Sequence, residues 1–194
     1  GLAGITFDSS GLLYVSDSAN ACVQVFQPET GVWLRPLSGR TELEVKAKSI
    51  YAQENDQQAQ IRLPAGLATD RLNQLYLADY GSSKIFVFNK QGGVLRSFGH
   101  KGSELGELNI PRSVAVDRFD RTYVCDSFNN RLSVFDASGR VLYTFGEKGS
   151  SPSQLVNPSD IAIDNQFGIV FVCDRGNRRV QIYKLSGDFT GQET

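Results

Sequence analysis

Histidine is nearly missing from this chain and methionine is missing altogether: its 194 residues hold one His, no Met, one Trp and three Cys. Each scarcity excludes a chemistry. A zinc centre needs several His or Cys ligands converging, and one histidine with three cysteines spread along the chain does not supply them. A Ser-His-Asp triad would have to use His100, which sits in a Gly-rich loop with no G-x-S-x-G elbow nearby. That loop, GHKGSELGEL at 99–108, also lacks the G-K-S/T ending of a nucleotide-phosphate loop. There is no apolar run near the length of a membrane span and no leader-like apolar segment, so neither a transmembrane helix nor a signal peptide is expected. Large net charge is absent too, at −1. The composition predicts a non-enzymatic chain with no metal and no cofactor. With 40% hydrophobic and 21% charged residues it is ordinary globular material, long enough for one sizeable core.

What is present is repetition. YVCDSFNNRLSVFD at 123–136 returns as FVCDRGNRRVQIYK at 171–184, with weaker echoes in YLADYGSSKIFVFN at 76–89 and YVSDSANACVQVFQ at 14–27. Asp8, Asp70, Asp117 and Asp164 each close one apolar run, and Asp17, Asp79, Asp126 and Asp174 each close the next. The later copies of the second set lie 47 and 48 residues apart, whereas the first gap is 62. The excess falls in the polar segment 38–63, read as a loop insertion with a short helix expected from Glu42 to Gln60 on helix propensity. Within a copy, runs of five or six apolar-alternating residues are separated by turns such as RFDR and ASGR. Four short strands per period of 40–50 residues predict an all-β fold, a β-propeller with one blade per copy. The blades are expected over about 1–37, 64–98, 111–145 and 158–194, in a single domain spanning 1–194.

FGHKGSELGELNIPRSVAVD at 98–117 and FGEKGSSPSQLVNPSDIAID at 145–164, each followed by the D-x-x-N-x-R phrase, resemble the NHL-repeat propellers. The likeness covers nearly the whole chain outside the insertion and is weakest in the first copy, where Cys22 replaces the basic residue. It implies a ring of usually six blades, often at the C-terminal end of tripartite-motif ubiquitin ligases, that binds RNA or protein. Only four copies occur here. A piece of a longer propeller, a four-bladed ring, or a ring completed by a second chain are the three arrangements. The first and third are favoured, because an open array leaves unpaired faces.

Features found in every copy are expected to build the blade. Both aspartate columns suit acceptors that fix tight turns. Lys84, Arg131 and Arg179 share a column that could pair with them. Phe26, Phe88, Phe135 and Tyr183 share a packing position, and Cys125 and Cys173 share one for small buried strand residues. Free thiols fit a reducing compartment, and a cytoplasmic location is expected. Setting aside the eight repeated aspartates and the three paired bases leaves a freely placed charge of about +4.

Function should then lie where copies differ. The variable position directly after the second aspartate is read as Ser18, Tyr80, Phe128 or Arg175. After the proline that opens a copy's first strand stand Ala65, Arg112 and Ser159. The same loops contribute His100, Lys101, Lys148 and Asn129. On the NHL resemblance these loops form the binding rim. Two aromatics beside Arg112 and Arg175 suit a protein or peptide hot spot, and equally the stacking and phosphate contacts of single-stranded RNA. Packing of both rings against neighbouring loops is the structural alternative. The sequence thus points first to a protein-recruiting platform of a larger ligase or scaffold, with post-transcriptional RNA binding as the second reading. A second copy or chain completing the ring is a further possible partner.

Overall fold

In the computed structural model, residues 2–37 and 61–185 are described. They form fifteen strands: β1 (Leu2–Phe7), β2 (Leu13–Asp17), β3 (Cys22–Gln27), β4 (Val32–Leu37), β5 (Pro64–Thr69), β6 (Leu75–Asp79), β7 (Lys84–Phe88), β8 (Val94–Phe98), β9 (Pro111–Val116), β10 (Thr122–Asp126), β11 (Arg131–Phe135), β12 (Val141–Phe145), β13 (Pro158–Asp164), β14 (Ile169–Asp174) and β15 (Arg179–Lys184). Consecutive strands pair antiparallel into sheets β1–β4, β5–β8, β9–β12 and β13–β15. The helix expected at 42–60 and any fourth strand of the last sheet lie outside the described residues. No described helix is long and apolar enough to cross a membrane.

The sheets stack as propeller blades. Their first strands run side by side in the order β1, β5, β9, β13, while β13 and β1 are not neighbours. The four blades therefore make an open arc, not a closed four-bladed ring. Each gap between blades is filled by residues alternating along the strands. Val25, Leu77 and Phe88 lie between blades one and two. Ile85, Leu108, Val114 and Phe135 lie between two and three, and Tyr123, Leu132, Val134, Ile161 and Val172 between three and four. Phe88 and Phe135 are core residues as their shared column suggested, and Phe135 meets Phe98 at 4.8 Å between ring centroids. Cys22 and Cys125 are buried strand residues; Cys173 is half-buried. Burial pushes the Cys125 thiol far above its ordinary range, which leaves it unreactive.

At the ends of the arc the same columns face outward. Phe171, Val180 and Ile182 of blade four are exposed, although their counterparts Tyr123, Leu132 and Val134 are buried. At the other end Ile5 and Phe7 are exposed where Val114 and Val116 are covered. Both ends have the chemistry of a blade-to-blade interface.

The first aspartate column shapes the turn after each first strand. Asp117 Oδ1 accepts the N–H groups of Phe119 and Arg121 at 2.9 Å each, while its Oδ2 accepts Arg121 Nε at 2.6 Å and the Tyr123 hydroxyl at 3.2 Å. Asp8 holds Ser10, Leu12 and Tyr14 in the same way. These lower turns are also tied from blade to blade. Asn73 Oδ1 accepts the Ser9 N–H, Arg71 forks onto Asp120, and Asn165 Oδ1 accepts the Arg118 N–H.

The inner strands approach closely. A Cβ on Gly66 would lie 2.5 Å from Ser113 Cα and 2.8 Å from the Arg112 carbonyl oxygen, both backbone atoms that cannot swing away. Gly66→Ala should therefore force β5 from β9 and lower stability by about 1–3 kcal/mol, read as a fall in the urea midpoint; an unchanged midpoint would contradict this packing.

The carboxylates also set an acid limit. Burial disfavours the charged forms of Asp8 and Asp174, but their hydrogen bonds outweigh it and hold both below the usual carboxylate range. The Ser138 hydroxyl, with Arg140, brings Asp136 down to about 2. Folded values below unfolded ones mean that this stability is complete above the unfolded value, about pH 4, and is lost as pH falls through the folded values. The urea midpoint should stay level from neutral pH to about 5 and then drop between about 4 and 2. Asp174→Asn should be less stable at neutral pH and show a shallower acid fall. An acid fall as steep as that of the native chain would remove Asp174 from the account.

Candidate functional site

The rim opposite the stitched turns is built from the turns joining each blade's second and third strands, and from the loops 99–110 and 146–157 that lead into β9 and β13. The second aspartate column clasps these two together. Asp126 is fully buried; its Oδ1 accepts the Asn109 N–H at 2.7 Å. Its Oδ2 takes Asn129 Nδ2 at 2.8 Å, Arg131 Nε at 2.9 Å and the Ser133 hydroxyl at 3.3 Å. Asp174 repeats this with Val156, Asn177, Arg179 and Gln181. Arg131 carries the clasp onward to the carbonyls of Glu104 and Glu107, and Arg179 to those of Ser150, Ser151 and Gln154. The pairing is within the blade.

Lys84, in the same column, makes no ion pair among the described residues; Asp79 instead accepts the Arg62 and Leu63 N–H groups and the Ser82 hydroxyl. The aspartates are not uniformly inward either. Asp8, Asp79, Asp117, Asp126 and Asp174 are buried, whereas Asp17, Asp70 and Asp164 are half-buried.

Each turn ends in a left-handed residue at the same place: Ala21, Ser83, Asn130 and Arg178, with φ between 51° and 56°. In blades three and four one turn of 3-10 helix precedes it, Ser127–Asn129 and Arg175–Asn177. The Phe128 N–H donates to the Asn109 carbonyl at 3.0 Å, and the Gly176 N–H to Val156 at 2.7 Å. The backbone under these side chains is fixed on both sides.

On this frame the expected rim residues take different places. Phe128 is 52% exposed, its ring outside all three core clusters. It stands one position further along its turn than Tyr80 and Arg175, whose true counterpart in blade three is the buried Ser127. Tyr80 is half-buried and Arg175 exposed. Arg112 is half-buried, and among the described residues its guanidinium has no hydrogen-bond or ion-pair partner. Lys101 and Lys148 occupy one column; their backbones bridge to Leu108 and Leu155, and their side chains are exposed.

Two of the expected residues are engaged in the frame. Asn129 divides its amide between Asp126 and the Gly102 carbonyl, as Asn177 does between Asp174 and Gly149. His100 meets Glu107 at 3.1 Å, and Glu107 also accepts the Glu104 N–H. Those contacts, the Glu104 N–H foremost, hold the Glu107 carboxyl below its usual range. In blade four Gln154 and Glu147 form the same cross-loop brace. Leu105, exposed on loop 99–110, was not anticipated; the signal was available, since Pro152 stands in its place in the next copy.

Two family models match the sequence: one described as an NHL repeat over residues 1–26, and one described as a 6-bladed beta-propeller over 108–194. No curated protein matches it. Among solved structures, a protein of unknown function from Bacteroides thetaiotaomicron is similar at TM-score 0.67 and 16% identity, covering 94% of this chain and 47% of its own. A chain of a nidogen/laminin complex aligns at 0.65 and 16%, with coverages of 94% and 60%. A catalytically inactive virginiamycin B lyase from Staphylococcus aureus, with quinupristin, aligns at 0.61 and 14%, with 94% and 55%. Identities this low establish the fold alone, and the chain spans about half the length of these structures. The four-copy repeat, the blades it builds and the family matches make this chain a β-propeller, with an NHL repeat matched at residues 1–26.

Proposed function

We propose that this propeller is a non-catalytic platform that recruits a protein partner through its upper rim. The observation that carries the reading is Phe128: a large apolar ring, half exposed, on a turn whose backbone is locked by Asp126 and Asn109. Ordering a flexible side chain or loop opposes binding, and a ring already held out on a fixed turn avoids most of that cost. Leu105 extends the apolar surface on the loop of the same blade. Lys101, Arg112, Lys148 and Arg175 add cations to the loops and strand entries of the same rim, and apolar and charged groups together suit a protein surface. Tyr80 and Arg175 belong to the same rim on the neighbouring blades. His100 serves the loop brace in this reading and not proton transfer.

Partner affinity measured on the full chain tests the reading. Phe128→Ala should weaken binding by about 2 kcal/mol, the loss of a hot-spot residue, while Arg175→Glu should cost less. Raising salt from about 50 to 200 mM should change the affinity little, whereas a nucleic-acid complex would lose about a thousandfold. Unchanged binding by Phe128→Ala would overturn the protein reading; steep salt loss together with failure of both Arg112→Glu and Arg175→Glu would establish RNA in its place.

A further inference from the structure

The inner strands all begin with a register shift, at Leu2/Ile5, Pro64/Leu67, Pro111/Val114 and Pro158/Asp160. Such bulges re-aim side chains, and here they turn one column toward the mouth of the axial channel. The column reads Gly4, Gly66, Ser113, Asp160 around the arc. A cavity of about 480 Å³ opens there, lined by these four residues, Arg112 and Ser159 among others.

Two of its charges are poised and unspent. Asp160 Oδ1 accepts the Ser113 hydroxyl at 2.6 Å and the Ile161 N–H at 3.0 Å, which fixes the carboxylate; its Oδ2 accepts nothing among the described residues. Arg112 lines the same cavity, yet forms no ion pair with Asp160 or any other described residue. Arg112 and Asp160 thus bring opposite charges to one cavity without pairing with each other. The glycines of blades one and two keep the other wall open. Neither tolerates a Cβ, since Gly4 would meet the Ala65 carbonyl oxygen at 2.6 Å. Polar function in this column is therefore confined to blades three and four.

Resting on the protein-recruiting reading, we propose that the channel mouth selects a basic–acidic pair of side chains in an extended segment of the partner. Asp160 takes the lysine or arginine through its free oxygen. Arg112 takes the neighbouring carboxylate in its fork, the geometry that guanidinium favours. The cavity volume lies in the range of ligand sites and accommodates two side chains.

The test uses the full chain and two hexapeptides, GGRDGG and its neutral counterpart GGQNGG, titrated at about 50 mM salt with the backbone amides of Ser113 and Asp160 as NMR reporters. GGRDGG should bind at least about tenfold more tightly than GGQNGG. Asp160→Asn and Arg112→Gln should each lose about that factor toward GGRDGG, equivalent to one close charge pair, with GGQNGG unaffected and the melting temperature retained. Equal binding of the two peptides, or GGRDGG binding unchanged in both variants, overturns the proposal. The rim reading is judged separately by Phe128→Ala. Partner loss in that variant without any peptide preference leaves the rim standing and removes the mouth. Peptide preference with full partner retention does the reverse.

Discussion

Blades three and four each depend on a carboxylate that has left water. Asp126 and Asp174 are fully buried, and a bare ion there would be prohibitive. They are tolerated because a backbone N–H from the incoming loop, an asparagine amide and an arginine converge on the two oxygens. The turn, the loop and the start of the inner strand thus become one body. Removing a single partner would strand a buried charge, which is why the column admits little variation in blades three and four. Blade one shows the weaker form. Asp17 is half-buried and held by Asn20 and Gln24, with Cys22 where the arginine would stand.

The two rims are braced in different senses. Lower turns are tied across blades, from Ser9 to Asn73, Arg71 to Asp120 and Arg118 to Asn165, and so fix the rotation of one blade against the next. Upper turns are clasped chiefly within their own blades, and the blade-three turn is also tied to blade four, where the Ser127 hydroxyl donates to the Pro158 carbonyl and Asn130 Oδ1 accepts the Asn157 N–H. Both rims thus hold neighbouring blades, while the tip of each upper turn carries a different side chain.

Much of this was visible in the sequence because four copies act as their own control. Period, strand number and both aspartate columns follow from self-similarity, since turn-fixing carboxylates and alternating strands are local features. What escaped is what neighbouring blades decide. Lys84 keeps the column's charge but not its pairing, because Asp79 is already occupied by the Arg62 and Leu63 N–H groups. Asn129 recurs as Asn20 and Asn177, so its structural use could have been read; its place in a rim loop drew attention instead. The mouth column of Gly4, Gly66, Ser113 and Asp160 has no local signature. Its meaning arises only when four strands from distant parts of the chain are brought side by side around an axis.

The fixed turn beneath Phe128 has an evolutionary consequence. Its backbone is held by Asp126, Asn109 and the left-handed Asn130, and its ring contributes nothing to that support. Selection can replace the ring without renegotiating the blade. Stability and recognition are recorded in separate letters a residue or two apart, and a family built this way can change what it holds by single substitutions while its architecture stays where it was.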